Sequence, residues 1–599
     1  MQKIFILAIV LFIVSCGGSD SNTSQNWDID TSNMNPSENV GDWAIIHELS
    51  DPDRLNPITS SGASAGYIEG KMFESLVGMD KKTLLYTDPN LATDVAKVSD
   101  DHLVYEYNIR KDAYFSDGVP LDANNFIFYL KCIKNPFVDC APLRNYFKDV
   151  KKAELINGDQ YKLRITCTNP YFKMETMLNG LTAYPIHHYD PNNYMENITF
   201  DELEKMVAEM SSTDAKDFEN LPAYKFAQEF NGKDMSRNPL GSGPYIFKEW
   251  STDDKIVLER NPNYWAYKNG DLDENGYVEK FVHKVVKDYD AAIIGLKAGE
   301  LDVIGLPMEK FMNQTNSKKI TNNYTKELYN IPGYGYIGWN QKNPLFKSKM
   351  VRRAMTHLLD RKQIIETLFY NEAEICKSPI YFKREEFNND IVPWPYDPKI
   401  AKQILAEEGW KDTDGDGILD KIINGKKEKF KFTVLSNNGN EVRKQIGLIL
   451  AENCRKIGIE VDVQTLEWSI FLDQVSAQKF DAMILGWAMS TTEPDPYQIW
   501  HSSQAKGEGS NSISFINERV DELIELNRRE YDSSKRIEYM MEFQEILHDE
   551  QPYTFIYVSK SNRLMHKRFQ NANVYPFRPG YDPFEWWVPT SLHKYSAVN

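Results

Sequence analysis

A serine flanked by glycines is the first place where this sequence could do chemistry. Residues 62–66 (GASAG) match the G-x-S-x-G pattern, in which a serine on a sharp strand-to-helix turn attacks an acyl group. The motif works only when a buried strand leads directly into it, and residues 57–61 (PITSS) have the composition of a loop. We therefore predict no catalysis by Ser64, and a serine hydrolase stays a remote alternative.

A run of aspartates and glycines at residues 412–420 (DTDGDGILD) could hold a calcium ion. It has aspartates at positions 1, 3, 5 and 9 of an EF-hand loop and glycine at position 6. The twelfth position is Ile423 instead of a bidentate glutamate, so a complete EF-hand is missing, and the alternative is a turn between a helix and a strand. No other cofactor is predicted. The candidate ligand positions are Asp412, Asp414, Asp416, Ile418 and Asp420.

Length and charge limit the class of protein. A chain of 599 residues is too long for one small core, so two or three packed units are expected. The formal charge of −18 argues against non-specific nucleic-acid binding, which needs a basic surface. An acidic surface is typical of a soluble protein with little self-association, and we expect a monomer.

The N-terminus has the pattern of an export signal. Lys3 precedes an apolar run at residues 4–14, which is too short to span a bilayer as a mature helix. The run ends in IVSC at residues 13–16, which resembles the bacterial lipobox, where a peptidase cuts before a cysteine that then carries lipid. The resemblance implies lipidation of Cys16. Residues 20–38 are rich in Ser, Asn and Asp and predict a flexible tether.

A β-α-β unit positions the loop most suited to ligand binding. We predict a strand at residues 430–435, a helix at 441–457 and a strand at 459–466. A further strand at 480–487 (FDAMILGW) ends at Trp487. Ligands of α/β proteins bind where strands end at a sheet edge, so the loop after Trp487 is a candidate binding element.

Residues 238–265 (NPLGSGPYIFKEWSTDDKIVLERNPNYW) predict a β-hairpin with a constrained corner. The first part is crowded with proline and glycine, and two apolar-aromatic runs follow, separated by STDD. An Asn-Pro turn and the aromatic pair Tyr264-Trp265 close the segment.

This stretch closely resembles a signature of the large oligopeptide- and dipeptide-binding proteins of bacterial ABC importers. Other segments are similar to the same family: FSDG at 115–118, AAIIGLKAGELDVIGLP at 291–307 and MVRRAMTHLLDRKQII at 350–365. The resemblance covers nearly the whole mature chain. It implies an α/β fold of two lobes (a periplasmic-binding-protein or Venus-flytrap fold), with an extra subdomain on the first lobe and a two-strand hinge.

The resemblance also implies a division of the chain into seven segments. These are a lipoprotein signal peptide (1–15), a lipidated flexible tether (16–40), a first part of lobe I (41–88), an extra subdomain of lobe I (89–230), a second part of lobe I (231–330), lobe II (331–555) and a return to lobe I (556–599).

The family's ligand residues carry over only in part. The resemblance implies that the backbone of Ser61, Gly62 and Ala63 lines the cleft. In peptide-binding relatives an aspartate three residues after the tryptophan pairs with the ligand's α-amino group, and here that position is Ser490. Because a buried charge must be paired, the strongest anchor for a peptide is missing.

Other residues could complete the binding site. Glu493 and Asp495 could substitute for the missing aspartate, or they could cap the following helix. Trp394, Trp487 and Trp500 are candidate pocket walls, since flat aromatic groups give contact area at low entropic cost.

The function implied is capture of a solute by lobe closure and its delivery to an ABC permease. Peptides are the first choice of solute, and an oligosaccharide or a metal chelate is the alternative, because of the change at Ser490. The expected location is periplasmic or at the cell surface, anchored by the lipid on Cys16. The expected partners are therefore a small solute, a permease and a membrane.

Overall fold

The protein is described by a computed structural model. The structure describes residues 27, 29–81, 84–210, 215–268, 276–490, 492–505 and 509–595. The predicted signal peptide, Cys16 and the first part of the tether lie outside these residues. Within the described ranges, no helix has both the length and the apolar character needed to cross a membrane.

Twenty strands form the sheets of the described chain. They are β1 (Trp43–Glu48), β2 (Val77–Met79), β3 (Tyr86–Pro89), β4 (Lys97–Val98), β5 (Val104–Asn108), β6 (Val150–Ile156), β7 (Asp159–Cys167), β8 (Tyr245–Ser251), β9 (Lys255–Arg260), β10 (Lys280–Val285), β11 (Val303–Ile304), β12 (Tyr324–Asn330), β13 (Gly333–Trp339), β14 (Ala373–Ile375), β15 (Asp420–Ile423), β16 (Lys426–Lys429), β17 (Lys431–Asn437), β18 (Glu460–Leu466), β19 (Ala482–Ala488) and β20 (Tyr553–His566).

Twenty α-helices cover the sheets in the same residues. They are α1 (Ala63–Glu69), α2 (Ala123–Lys134), α3 (Ala141–Arg144), α4 (Met174–Asn179), α5 (Ile186–Tyr189), α6 (Phe200–Glu209), α7 (Pro222–Phe230), α8 (Lys233–Arg237), α9 (Trp265–Lys268), α10 (Tyr289–Ala298), α11 (Met308–Gln314), α12 (Lys318–Thr321), α13 (Lys349–His357), α14 (Arg361–Phe369), α15 (Pro398–Glu407), α16 (Glu441–Arg455), α17 (Trp468–Ser476), α18 (Tyr497–Trp500), α19 (Glu518–Arg529) and α20 (Ser533–Glu550).

Strand β20 belongs to both lobes. Its residues 553–557 pair with β13, whereas its residues 560–566 pair with β12. Lobe I is the group of strands β1, β8, β9, β10, β11 and β12 around the second half of β20, and lobe II is the group β13, β14, β17, β18 and β19 around its first half. The chain also passes between the lobes at residues 331–332, from β12 into β13. The expected α/β, two-lobed fold with a two-strand hinge is confirmed.

A separate four-stranded sheet, in the order β4-β5-β7-β6, lies within the segment expected to form the extra subdomain. Its buried side chains and those of α2, α6 and α7 form one hydrophobic cluster that spans residues 58–230. Asp122 caps α2, accepting a hydrogen bond from Asn124 N. The seven segment boundaries given above stay predictions.

The structure defines two of the segments that the sequence analysis named. The β-α-β unit is confirmed as β17, α16 and β18, with β17 and β18 parallel. The family-like segment at residues 350–365 lies in two helices, α13 and α14. The break falls at residues 358–360 because Asp360 accepts a hydrogen bond from Gln363 N and starts a new helix.

The hairpin at residues 238–265 is confirmed as β8 and β9 at the edge of the lobe I sheet. Its corner lies directly on the backbone that follows α1: Gly243 N donates to Met72 O at 2.8 Å. A β-carbon at Gly241 would lie 2.0 Å from Met72 O, so glycine is required there. The hairpin therefore supports the segment that carries the cleft loop. Its tip, at Trp250, Thr252 and Asp253, also lines a depression that Trp468 of lobe II borders.

We expect Gly241→Ala to lower the free energy of unfolding by about 2 kcal/mol or more, because the backbone of Met72 must move to admit a methyl group. Gly66→Ala is the matched control, since no atom lies within 4 Å of a β-carbon at this exposed helical position. There alanine should be neutral or stabilising by up to about 1 kcal/mol. Denaturant unfolding of both variants measures the difference, and equal stabilities would contradict the proposed steric constraint.

Candidate functional site

The lobe I wall of the cleft is the loop that precedes α1. Asp53 Oδ2 accepts hydrogen bonds from Ser61 N at 3.1 Å and from Ser61 Oγ at 3.3 Å, which fixes the loop. A β-carbon at Gly62 would lie 3.8 Å from Trp468 Nε1, so the loop faces lobe II at close range. Ser61 and Ala63 are exposed. Ser61 and Ala63 are thus open to solvent next to lobe II, and Gly62 between them is half-buried. The role of all three as ligand residues stays a prediction.

The structure contradicts the hydrolase alternative. Ser64 lies in the first turn of α1, and the preceding strand β1 ends at Glu48. A nucleophile elbow needs the strand to enter the turn directly, which forces the serine into a strained, exposed position. Ser64 therefore lacks the setting of a catalytic nucleophile.

Buried ionisable groups lie just beneath this loop. Glu69 is buried in α1, and burial raises its pKa to about 8 although Ser60 Oγ donates a hydrogen bond to it at 2.9 Å. Burial likewise raises the pKa of Glu74 to about 7. Glu74 Oε1 accepts hydrogen bonds from Tyr264 and Trp265, the aromatic pair at the end of the hairpin. The hairpin is thus joined to the base of the cleft loop.

The lobe II wall is formed where β17 and β19 end. Trp487 lies near the end of β19, paired with Tyr334 of β13, and its Nε1 lies 3.4 Å from Tyr553 Oη. The side chain is only partly buried, which suits the predicted pocket wall. Between β17 and α16, Asn437 Oδ1 accepts a hydrogen bond from Arg443 Nη1 at 2.6 Å.

A lysine faces the position at which peptide-binding relatives carry the aspartate. Lys173 Nζ lies 3.2 Å from Ser490 Oγ, and Ser490 Oγ is 3.2 Å from Thr492 Oγ1. Lys173 is buried, and burial lowers the pKa of its ammonium group. An ammonium group of a ligand would meet a positive charge here instead of a carboxylate.

Asp495 does not substitute for the missing aspartate. Its side chain is 1% exposed, and its Oδ2 pairs with Arg528 Nε at 3.1 Å and accepts a hydrogen bond from Tyr171 Oη at 2.5 Å. Its Oδ1 accepts from Tyr497 N at the start of α18, as the alternative role at a helix end predicts. The prediction that Asp495 binds the ligand is wrong because its charge is already paired.

Glu493 has a weaker partner than Asp495. Its carboxylate lies 3.7 Å from Arg536, and the side chain stays 42% exposed. A screened pair of this kind leaves the group available. Its role as a ligand residue stays a prediction.

Two of the three tryptophans proposed as pocket walls are elsewhere. Trp500 is 1% exposed and packs 4.7 Å from the ring of Tyr553 in the core of lobe II, so its predicted role is wrong. Trp394 stacks on His548 at 5.0 Å and lines a separate outer depression of lobe II with residues 388–395. Its side chain therefore faces away from the cleft loop.

The lobes enclose a cavity of about 370 Å³ beside the hinge. Lobe I contributes residues 46–49 and 303–308, and lobe II contributes residues 439–442. Glu48 lines this cavity and accepts a hydrogen bond from the buried His283 Nδ1 at 2.8 Å. Arg563 lines it from β20.

The extra subdomain closes the cleft on the side away from the hinge. Asp149 pairs with Arg529 at 2.7 Å, Lys148 with Glu525 at 3.2 Å, and Tyr146 Oη donates to Gln498 at 2.7 Å. The paired Asp495 and Arg528 belong to the same contact. The lobes are thus joined at the hinge and also through the extra subdomain, which is a closed arrangement.

The aspartate-rich loop has three carboxylates that converge. Ligand oxygens of Asp412, Asp414 and Asp420 all lie within 4.8 Å of one another, which suits the oxygen chemistry of Ca²⁺. Two lysines of β16 compete for them, however. Lys427 Nζ lies 2.9 Å from Asp414 and 3.2 Å from Asp420, and Lys429 also pairs with Asp414 at 3.5 Å.

The two remaining predicted ligand positions, Asp416 and Ile418, also take part in interactions within the loop. Asp416 pairs with Lys429 and accepts a hydrogen bond from Ile418 N at 3.0 Å. Asp412 accepts from Gly415 N and Gly417 N at 2.7 and 2.9 Å. The hydrogen bond from Lys427 lowers the pKa of Asp414 to about 2. Calcium binding by this loop stays a prediction. Lys427 and Lys429 would compete with the ion for the aspartate carboxylates.

Sequence reasoning did not single out Lys173 or Arg443, because nothing in their local sequence distinguishes them from surface cations. For Arg578, which lies over Gly333, a signal was present in strand β13. Residues 329–340 (YNIPGYGYIGWN) alternate glycine with large residues. Successive side chains point to opposite faces of a strand, so such alternation leaves one face bare.

Comparisons with known proteins agree with this geometry. Residues 87–509 match the family described as bacterial extracellular solute-binding proteins, family 5. The chain is 31% identical to the oligopeptide-binding protein AppA of Bacillus subtilis over 601 aligned residues, covering 98% of each chain. The structure of AppA in complex with a nonapeptide superposes with a TM-score of 0.77, covering 92% of this chain and 99% of that one at 30% identity.

Two further solved structures share the fold at lower identity. One is an oligopeptide-binding protein from Thermus thermophilus complexed with a pentapeptide, with a TM-score of 0.77 and 22% identity, covering 92% of this chain and 97% of that chain. The other is NikZ from Campylobacter jejuni in complex with Ni(L-His), with a TM-score of 0.73 and 22% identity, covering 91% and 99%. One fold therefore serves peptides and a metal chelate in these proteins.

We expect Glu69→Gln to remove a pH dependence of stability. In the unfolded chain the carboxyl ionises above about pH 4.3, whereas the folded protein holds its proton until the pKa of about 8. Unfolding releases a proton in this window, so the free energy of unfolding falls as pH rises from about 5 to about 8, by at most about 1.4 kcal/mol per pH unit. The variant lacks this contribution. Urea unfolding between pH 5 and 8 measures it, with exposed Glu518→Gln as control; parallel curves for wild type and Glu69→Gln would refute the assignment.

We expect the double variant Lys427→Gln, Lys429→Gln to bind Ca²⁺ about tenfold more tightly than the wild type. Removal of both ammonium groups leaves the converging carboxylates without a counter-charge. Calorimetric titration with Ca²⁺ measures the effect, and Lys426→Gln, an exposed lysine of the same hairpin, is the control. If the double variant and the wild type show the same affinity, or none, the aspartates form only a turn.

Proposed function

The chain belongs to family 5 of the bacterial extracellular solute-binding proteins, and from this premise we propose that it captures peptides between its lobes and delivers them to an ABC permease. The observation that carries the proposal is the cleft itself. The loop at residues 61–63, in which Ser61 and Ala63 are exposed, comes close to Trp468 of lobe II. The partly buried Trp487 lies in the same lobe near the end of β19. Extended peptides bind well to exposed main-chain groups of this kind, with little dependence on sequence.

The likeness to AppA supports peptides as the solute. That protein was solved with a nonapeptide, and its chain aligns with nearly all of this one. A cleft that takes a long peptide must be open at its sides, and Trp487 offers flat contact to varied side chains. Binding through main-chain groups and hydrated pockets would give a broad range of accepted peptides.

The environment of Ser490 supports the alternative of a non-peptide solute. Lys173 supplies a positive charge where a peptide's α-amino group would need a negative one. A peptide could still bind if its amino group stays in water or reaches Glu493, which is 42% exposed. A solute without an ammonium group, such as an oligosaccharide or a metal chelate, would avoid the conflict altogether.

The anchor and the partners belong to the same proposal. Lipid on Cys16 and a tether to about residue 40 would hold the lobes near the outer face of a membrane. Closure of the lobes would present a composite surface to the permease, and only the closed form would bear it. We propose a monomer acting in the periplasm or at the cell surface.

We expect purified protein to release short peptides when it is denatured, as identified by mass spectrometry. Ser61→Trp should lose them, because an indole at this exposed position fills the cleft mouth. Ser317→Trp, an exposed serine of lobe I outside the cleft, is the matched control and should keep them. Recovery of glycans or a metal chelate with the same dependence on position 61 would overturn the peptide proposal in favour of the alternative.

A further inference from the structure

Three glycines of β13 and β19 form a surface without side chains beside the hinge, which we call the glycine platform. Gly333 and Gly335 lie two residues apart on β13, so they share one face of the strand. Gly486 of β19 is the antiparallel partner of Gly335, and directly opposed residues also share a face. One face of the sheet therefore lacks side chains at the point where the two lobes meet.

Three side chains cover this platform. The ring of Tyr557 lies over Gly335, where a β-carbon would be 2.4 Å from it. A β-carbon at Gly333 would lie 2.9 Å from Arg578 Nη2. One at Gly486 would lie 3.7 Å from Arg443 Nη2. The glycines thus leave room for a phenol flanked by two guanidinium groups.

The two arginines come from opposite lobes. Arg443 is in the first turn of α16, in lobe II. Arg578 is in the segment after β20 that lobe I holds: Pro579 O accepts hydrogen bonds from Tyr329 Oη at 3.1 Å and from Arg563 Nη2 at 2.8 Å. Like charges that approach across a cleft oppose its closure.

Neither arginine has a carboxylate partner among the described residues. The buried Arg361 also lacks one, but its guanidinium donates to the backbone oxygens of Phe555 and Trp394. Arg568 is paired with Asp42 and Asp302, and Arg528 with Asp495. Across the described ranges, no carboxylate lies within 4.0 Å of Arg443 or Arg578. The side chain that accepts a hydrogen bond from Arg443 is the neutral amide of Asn437.

The surroundings of Arg443 raise the free energy of its charged form. Burial lowers the pKa of its guanidinium, and Arg578 lowers it further, whereas the hydroxyls of Tyr557 and Tyr336 act in the opposite direction. Arg443 is partly buried, and a cation in such a place that lacks a carboxylate partner is stabilised by an anion supplied from outside. Because Arg578 is exposed, that anion has access to the site.

We propose that Arg443, Tyr557 and Arg578 bind a carboxylate group of the solute, and that this group allows the two lobes to close. The inference rests on the proposed function and adds a chemical class: the solute is a carboxylic acid. A planar carboxylate can accept from a guanidinium on each side and from the phenol between them. The N-terminus of the fifteen-residue α16 adds a favourable dipole. The carboxylate could be the terminus of a peptide or part of a free organic acid.

Binding assays with matched probes test this class. The purified protein, freed of bound solute, is titrated by calorimetry with a pentapeptide pool with free carboxyl termini, the same pool amidated, citrate, and inorganic phosphate. We expect the free acids to bind about 10- to 100-fold more tightly than the amides. Small-angle scattering should show a smaller radius of gyration with the free acids only.

Variants locate the effect. Arg443→Gln and Arg578→Gln should each abolish the preference for the free acid. Arg455→Gln, an exposed arginine at the other end of α16, should retain it. Arg578 is exposed, so its variant is expected to fold even if the Arg443 variant does not.

Each outcome is decisive. Equal affinity of the wild type for acid and amide pools overturns the carboxylate site while peptide capture stands. Citrate binding that depends on both arginines, without peptide binding, supports the site and overturns peptide capture. Binding of phosphate alone, or of no probe in a manner that depends on Arg443 or Arg578, overturns the inference.

Discussion

The main-chain hydrogen bonds of one strand hold this protein together. The fourteen residues of β20 pair with β12 in one lobe and with β13 in the other, so the two sheets share a single continuous backbone. A backbone group that lost its partner inside a sheet would cost about as much as any hydrogen bond the fold makes. The lobes can therefore rotate about the short link at residues 331–332 and the middle of β20, but they cannot separate. Capture by closure follows from this constraint.

The second constraint on the structure is how its buried charged groups are paired. Some buried charges are neutralised inside the fold, as Arg568 is by Asp42 and Asp302. At the cleft, Lys173 beside Ser490 and Arg443 beside Arg578 lack a paired carboxylate among the described residues. Charges with no partner are costly when water is excluded. A solute bound at the cleft would exclude water from these two places, which is why we look for specificity there.

Much of the fold could be predicted from the sequence, because its signals are local. The hairpin corner is crowded with proline and glycine, Asp122 caps α2, and the apolar pattern of the β-α-β unit matches β17, α16 and β18. The candidate site was less predictable. Trp487 and the loop at 61–63 are at the cleft, but Trp500 lies in a core and Asp495 is paired with Arg528. The sequence alone does not show whether a tryptophan or an aspartate lies in a core, in an ion pair or in a binding pocket.

By itself the sequence determined the family, the α/β class and the absence of a nucleophile elbow, since these depend on short-range pattern and turn chemistry. Only the tertiary structure decided which charges are neutralised. Arg528 and Asp495 are 33 positions apart in the chain, and Lys173 lies 317 positions from Ser490. It also decided that Arg443 and Arg578, from opposite lobes, meet over three glycines. Coulomb interactions depend on distance in space and on exclusion of water, and neither is encoded by separation along the chain.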